Sequence, residues 1–199
     1  MNNILVLGAT GGIGSLVVSQ LTKVNVKQTI YVRNIKKLKK ENLTSVTILE
    51  GDILDTTNLI SAMKGQNIVI AALSGDLFGQ ALSIVAAAKQ TNVSRIIWVT
   101  GLGIHHEVPG KIGEMLNYYV NKFPEYIQAA DTIANSGIPY TLVRAANLTN
   151  GNNLTYYIQK EGEEIHSESV DRRAVAQFIV DMIKDTNNLG LNESLGVTN

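Results

Sequence analysis

No cysteine occurs in the 199-residue chain, which excludes a thiol nucleophile, a thiolate zinc site and an iron–sulfur cluster and accords with a reducing compartment. Neither sign of charge prevails. There are 17 Lys and Arg against 17 Asp and Glu, a formal net charge of +0, and the sequence pI is ≈ 6.8. That balance excludes a broad electrostatic surface for nucleic acid or anionic membrane and leaves room only for a local basic patch. No apolar run approaches the ~20 residues of a membrane span, and the opening Met1-Asn2-Asn3 puts no basic segment before the short apolar stretch that follows. No internal repeat, low-complexity tract or linker divides the sequence. The expectation is a single cytoplasmic domain over residues 1–199, monomeric or homodimeric, with a small-molecule substrate, no nucleic-acid or membrane partner and no metal. A chain of this length removes roughly 70% of its unfolded surface from water, enough for a core without a disulfide or metal staple.

What is present is an alternation. Ile4-Leu5-Val6-Leu7 is a continuous β-rich run of the kind buried on both faces of a parallel sheet. Beyond it Ile13, Leu16, Val17 and Leu21 fall at offsets 0, 3, 4 and 8, which predicts a helix to about Lys23. Further strands are expected over residues 29–33, 46–49, 68–73, 96–99, 140–144 and 195–198. Between them lie a helix bearing Leu59, Ile60 and Met63, capped by Asp55 or Thr56 and ended by Gly65, and an Ala-rich helix over 80–89. A helix over 124–135 stops at Ser136-Gly137, and a last one, capped by Asp171, carries Val175, Phe178, Ile179, Met182 and Ile183. This order predicts an α/β fold: a Rossmann-type doubly wound parallel sheet flanked by helices, with a small substrate-covering region over about residues 145–199. Ligands are expected at the carboxyl ends of the strands.

The loop Gly8-Ala9-Thr10-Gly11-Gly12-Ile13-Gly14 joins the first strand to the first helix. A glycine there permits the tight turn, another lets backbone N–H groups approach a pyrophosphate, and a third lets helix and strand pack closely. The helix N-terminus adds the positive end of a dipole. The spacing is G-x-x-G-x-x-G rather than G-x-G-x-x-G, away from the commonest dehydrogenase variant. Nineteen residues beyond Gly14 the second strand ends in Arg33, with no carboxylate between Thr29 and Lys40. An acid there would suit a ribose 2′-hydroxyl, whereas an arginine suits a 2′-phosphate, so NADP(H) is expected over NAD(H). Lys36, Lys37, Lys39 and Lys40 follow and add positive field; Lys39 and Lys40 read as a solvated helix face. Asp52 and Ile53, just after the third strand, are placed for the adenine amino group and ring. Ala71, Ala72 and Leu73 end the fourth strand, where small residues admit a cofactor; core packing explains Ala71 and Ala72 equally well.

These segments resemble the atypical short-chain dehydrogenase/reductases, specifically the NAD(P)H-binding, NmrA-like and biliverdin/flavin-reductase-like group. Besides the glycine loop, the resemblance is carried by Val32-Arg33-Asn34, Gly51-Asp52-Ile53-Leu54, Trp98-Val99-Thr100-Gly101-Leu102-Gly103 and Ser136-Gly137-Ile138-Pro139-Tyr140-Thr141-Leu142-Val143-Arg144. It implies a cytoplasmic Rossmann-type domain that binds NADP(H). Many members transfer hydride, and others respond to redox state without turnover.

Enzymes of the wider superfamily reduce carbonyls with a Ser and a Y-x-x-x-K pair, in which the lysine lowers the tyrosine pKa and the phenol donates the proton. In this sequence Thr100 takes the serine position and Tyr126 is the candidate acid, but Ala130 stands four residues on where the lysine would be. Tyr118-Tyr119-Val120-Asn121-Lys122 spells the motif, yet Pro124 follows, and we read that match as coincidence. Ala145-Ala146-Asn147-Leu148 follow Arg144 where relatives more often carry proline. His105 and His106 read as exposed loop residues rather than an acid/base pair or metal ligands. His166 falls in a polar turn or hairpin over 161–168, and Asp171-Arg172 read as the cap and anchor of the last helix. Tyr118, Tyr119 and Tyr126 are open to either a pocket or a packing role. A complete cofactor site joined to a degraded acid/base set favours hydride delivery to a small planar acceptor such as a flavin, quinone, carbonyl or enone. The alternative is a non-catalytic, NmrA-like NADP(H)-sensing regulator.

Overall fold

The computed structural model describes residues 2–38 and 43–199; Lys39 and Lys40 therefore lie outside the described residues. Ten strands are defined: β1 (Asn3–Leu7), β2 (Lys27–Val32), β3 (Val46–Glu50), β4 (Ile68–Ala71), β5 (Arg95–Gly101), β6 (Tyr140–Ala145), β7 (Asn147–Thr149), β8 (Tyr157–Gln159), β9 (Ser169–Asp171) and β10 (Glu193–Thr198). The described residues also form six α-helices: α1 (Gly12–Leu21), α2 (Thr56–Met63), α3 (Leu77–Thr91), α4 (Gly110–Val120), α5 (Glu125–Ala134) and α6 (Arg172–Lys184). Eight strands form one sheet in the order β3-β2-β1-β4-β5-β6-β10-β8. Every pairing in it is parallel except that of β8 with β10. The chain direction of winding reverses between β1 and β4, which opens a crevice at their carboxyl ends.

Alternation along β1 sorts the core into two layers. Ile4 and Val6 pack with α1 and α6 on one face, while Leu5 and Leu7 pack with α2, α3 and α5 on the other. All four side chains are fully buried, each contributing ~1.5–3 kcal/mol of apolar transfer free energy. Local signals set the helix ends. Asp55, rather than Thr56, caps α2 by accepting from the Asn58 N–H at 3.1 Å. Gly65 (φ +74) and Gly137 (φ +77) take the left-handed conformation just beyond α2 and α5. Asp76 caps α3 through the Gly79 N–H at 2.9 Å, so that helix starts at Leu77, before the expected position.

Four elements were not anticipated. α4 follows Pro109, and its Ile112, Met115, Leu116 and Tyr119 stand at offsets 0, 3, 4 and 7. A side chain at Gly113 would come within 1.7 Å of the Val108 carbonyl oxygen, so α4 lies directly against the loop after β5. β7 and β9 pair in parallel as a separate two-stranded sheet, and β8 adds an antiparallel edge. Each spans three residues, too few to carry a periodic pattern. Asp171 occupies the cap position of α6, but its carboxylate does not cap the helix. It accepts instead from the Thr149 hydroxyl and from the N–H groups of Gly151 (3.2 Å) and Asn153 (2.8 Å). Those bonds, with the charge of Arg173, hold its carboxyl below the ordinary range against the opposing pull of burial.

Candidate active site

The glycine loop closes by the Gly11 N–H donating to the Gly8 carbonyl at 2.9 Å. Gly8 sits at φ +84, and a Cβ there would lie 2.0 Å from the Ala72 carbonyl oxygen; one on Gly14 would lie 2.2 Å from the Gly8 carbonyl oxygen. Both contacts are with backbone, so the turn and the seat of α1 on β1 require glycine. The Gly11 cap position of α1 offers no side-chain acceptor and the first turn has no acid, which leaves its N–H groups free for an anion.

A crevice runs over this loop in two parts. The narrow part, of ≈ 100 Å³, is lined by Gly8, Thr10, Arg33, Asp52 and Ile53 among others. The wide part, of ≈ 600 Å³, is lined by Gly12, Ile13, Thr100 and Tyr126, with Ile112, Met115 and Leu116 of α4 on its wall. Gly11, Ala72, Leu73 and Ser74 line both parts and make them continuous. Gly14 lies beneath the loop rather than on the crevice. Ala71, expected at the cofactor, lines neither part. It is fully buried against the α2, α3 and α5 layer, and of its two sequence readings the structure supplies the packing one.

The side chains around the narrow part suit an adenosine phosphate. Arg33 is exposed and makes no hydrogen bond or ion pair among the described residues. Asp52 accepts from the Leu54 N–H at 3.0 Å, and the Tyr31 hydroxyl donates to the Asp52 carbonyl at 3.2 Å. Burial, with the negative charges of Asp55 and Asp52, pushes the Tyr31 phenol up. Gln80, by its sequence only a helix residue, is buried on this wall with its Oε1 unpartnered among the described residues.

In the wide part Thr100 is buried and its Oγ1 has no partner among the described residues. An orphaned hydroxyl on a cavity wall fits a bound polar group, as the glycine cradle fits a pyrophosphate. Tyr126 shares that cavity, half-exposed, whereas Ala130 is buried in the core. Ala145, Ala146, Asn147 and Leu148 all line the cavity. Tyr118 and Lys122 do form a pair, the ammonium donating to the phenol oxygen at 2.7 Å, but Tyr118 is 60% exposed and neither residue lines the cavity. His166 stacks on Tyr157 with ring centroids 3.6 Å apart.

His105 is more embedded than its loop position suggested. Its ring nitrogens lie 2.8 Å from Glu161 Oε1 and 3.2 Å from Asp131 Oδ1. Burial pushes the Glu161 carboxyl up, but hydrogen bonds with His105 and Ser194 and the charges of His105 and Arg144 outweigh it and hold the carboxyl below its ordinary range. Beneath this cluster Arg144 and Glu107 form a buried ion pair. His106 turns away at φ +56 and is exposed.

A family model described as NAD(P)H-binding matches residues 8–186, nearly the whole crevice-bearing chain. The chain belongs to this NAD(P)H-binding family. Among solved structures, a Rossmann-fold NAD(P)-binding family protein from Shigella flexneri is 36% identical with a TM-score of 0.85, covering 100% of this chain and 93% of that one. A wide-type short-chain dehydrogenase/reductase from Veillonella parvula, solved in complex with NADP, is 25% identical with a TM-score of 0.88, covering 100% and 94%. An NAD(P)H azoreductase from Xenophilus azovorans is 31% identical over 115 residues, 57% of this chain and 40% of that protein. The chain spans less than half the length of the curated relatives it matches first. These likenesses place it in the atypical short-chain dehydrogenase/reductase-like, NAD(P)H-binding group. No helix of the described residues is long and apolar enough to cross a membrane.

Proposed function

We propose that this NAD(P)H-binding protein is an NADP(H)-preferring oxidoreductase that passes hydride to a small planar acceptor such as a flavin, quinone, carbonyl or enone. The carrying observation is the continuity of the crevice, from Arg33 at its narrow end, across the glycine loop, to the Thr100 and Tyr126 hydroxyls in the wide cavity. NADPH, when bound, supplies the hydride. The loop N–H groups hold the pyrophosphate, and Arg33 grips the 2′-phosphate with its planar fork. Thr100 donates a hydrogen bond to the acceptor. Tyr126 closes the cavity edge, and the apolar wall of Ile112, Met115 and Leu116 excludes water from one face. No lysine lines the cavity among the described residues, so an acceptor that recovers its proton from water suits the site better than one needing a strong acid. The name of the azoreductase relative supports a planar acceptor.

The test is titration of wild type and Arg33→Ala with NADPH and NADH, followed by nicotinamide fluorescence. Loss of charge-assisted bonds worth ~1.5–3 kcal/mol predicts that the substitution weakens NADPH about tenfold or more and leaves NADH unchanged. Equal affinity of wild type for both nucleotides would overturn the NADP preference. A second reading, a nucleotide-sensing regulator, is favoured by the same missing lysine; it predicts tight NADPH binding with no turnover across flavins, quinones and enones.

A further inference from the structure

Arg172 opens α6, a hundred and sixty residues from Gly12 in sequence, yet its side chain lies over the glycine loop. A Cβ built on Gly12 would come within 2.8 Å of Arg172 Cδ and 2.9 Å of its Nε. The guanidinium is oriented from one end only. Nη1 donates to the carbonyl oxygens of Leu148 (3.3 Å) and Thr149 (3.2 Å) and to Asn150 Oδ1 (2.8 Å). The neighbouring Asp171 fixes those acceptors by holding Thr149, Gly151 and Asn153. Arg172 Nε and Nη2 make no hydrogen bond, and no carboxylate pairs with the side chain, among the described residues.

Nη1 has its acceptors, but the rest of the guanidinium has no negative partner among the described residues. Arg172 is the first residue of α6 and also packs on Gly12, the first residue of α1. The guanidinium therefore lies beside the positive N-terminal end of the α1 dipole, which disfavours a cation. On the wide cavity wall it is the one cation, and Glu168 the one carboxylate, among the described residues. An oxyanion between the Gly12 N–H and the free guanidinium edge satisfies both positive groups at once.

We propose that Arg172 is an anion-binding residue of the cofactor site, closing over the glycine loop to take an oxyanion of the dinucleotide's pyrophosphate. This rests on the cofactor reading above and makes residues 148–153 and the start of α6 part of the binding machinery. The experiment is calorimetric titration of wild type, Arg172→Gln and Arg172→Lys with NADPH and with adenosine 2′-monophosphate, which carries the Arg33 ligand but no pyrophosphate. Loss of a charge-assisted bond predicts that Arg172→Gln weakens NADPH about tenfold or more, that Arg172→Lys recovers part of the loss, and that the 2′-monophosphate binds all three proteins alike. Unchanged NADPH affinity in Arg172→Gln would overturn the proposal and turn attention to an acidic acceptor as the guanidinium's partner. Parallel weakening of both ligands would also overturn it, because the residue would then only brace the fold. Failure of wild type to bind NADPH would overturn the cofactor reading itself, a result separable from both.

Discussion

Replacing Glu107 by alanine tests how the chain holds the loop that forms one wall of the wide cavity. The Glu107 and Arg144 side chains are 3% and 1% exposed and form an ion pair. Glu107 also accepts from the N–H groups of Gly103 at 2.8 Å and His105 at 2.9 Å. Arg144 donates to Ser194 Oγ at 2.9 Å and to the Ser194 carbonyl at 3.2 Å. One carboxylate thus ties the turn after β5 to β6 and β10, and that turn supplies Leu102 to the cavity. Breaking a buried pair by removing one partner costs ~3–5 kcal/mol. Each stranded N–H adds ~1–3 kcal/mol where water cannot replace the acceptor. Because His105 is only partly buried, water can reach its N–H, and with the Gly103 N–H alone stranded the total for Glu107→Ala is about 4–8 kcal/mol.

That is a large share of the ~5–15 kcal/mol that stabilises a domain, so Glu107→Gln, which keeps one acceptor oxygen and is expected to lose about 2–3 kcal/mol, is the measurable companion. The double variant Glu107→Leu/Arg144→Met removes both charges together and is expected to be more stable than Glu107→Ala despite carrying two changes. Urea unfolding followed by far-ultraviolet circular dichroism, analysed by linear extrapolation at constant m, reads all three. A loss below about 1 kcal/mol for Glu107→Ala, typical of an exposed pair, or a double variant less stable than Glu107→Ala would refute the reasoning.

Gly14→Ala gains ~1 kcal/mol of helix propensity, but its Cβ would lie 2.2 Å from the Gly8 carbonyl oxygen and 2.7 Å from the carbonyl carbon. Overpacking against backbone at ~1–3 kcal/mol or more wins, so thermal unfolding should show net destabilisation and titration should show lost NADPH binding; a stabilised variant that binds normally would count against the loop geometry. At alkaline pH Tyr156 is the informative group, because burial, then the charge of Asp181 and the hydrogen bond to it, push its phenol up to about 12. A raised folded-state value means the stability it contributes is complete below the unfolded value of 10.0 and is lost as pH rises from there to about 12. Phenolate absorbance should show a late-titrating tyrosine that Tyr156→Phe removes; disappearance of amplitude near pH 10 instead would contradict the assignment.

The features legible in the sequence are those whose cause is local. Strands buried on both faces announce themselves as apolar runs, as Ile4-Leu5-Val6-Leu7 does, and caps and stops such as Asp55, Gly65 and Gly137 act within a turn of where they stand. The glycine loop and Arg33 belong to this class, since one βαβ unit brings them to the same crevice. α4 had its apolar offsets in plain view, but glycines at 110 and 113 and a proline at 109 disguise it as a loop. β7, β8 and β9 have no local cause at all: each exists through a partner supplied elsewhere, as Asn147 and Ser169 are for one another.

The site divides along the same line, and the division bears on what the C-terminal quarter of the chain does. Asp171 and Arg172 look like a cap and an anchor because the residues that redirect them, Thr149 to Asn153 and Gly12, are distant in sequence. His105 looks like a solvated loop residue because Asp131 and Glu161, which hold it, stand 26 and 56 positions away. In each case a polar side chain of ordinary appearance is engaged by partners that only the closed sheet brings near. The deviation runs in one direction: residues 148–172 and the turn after β5 are held by specific polar bonds where sequence periodicity suggests loose cover. On the cofactor and acceptor roles proposed above, a region fixed this way, with Leu148, Ile165 and Arg172 all on the cavity wall, serves as a preorganised half of the site rather than a lid laid over a finished one.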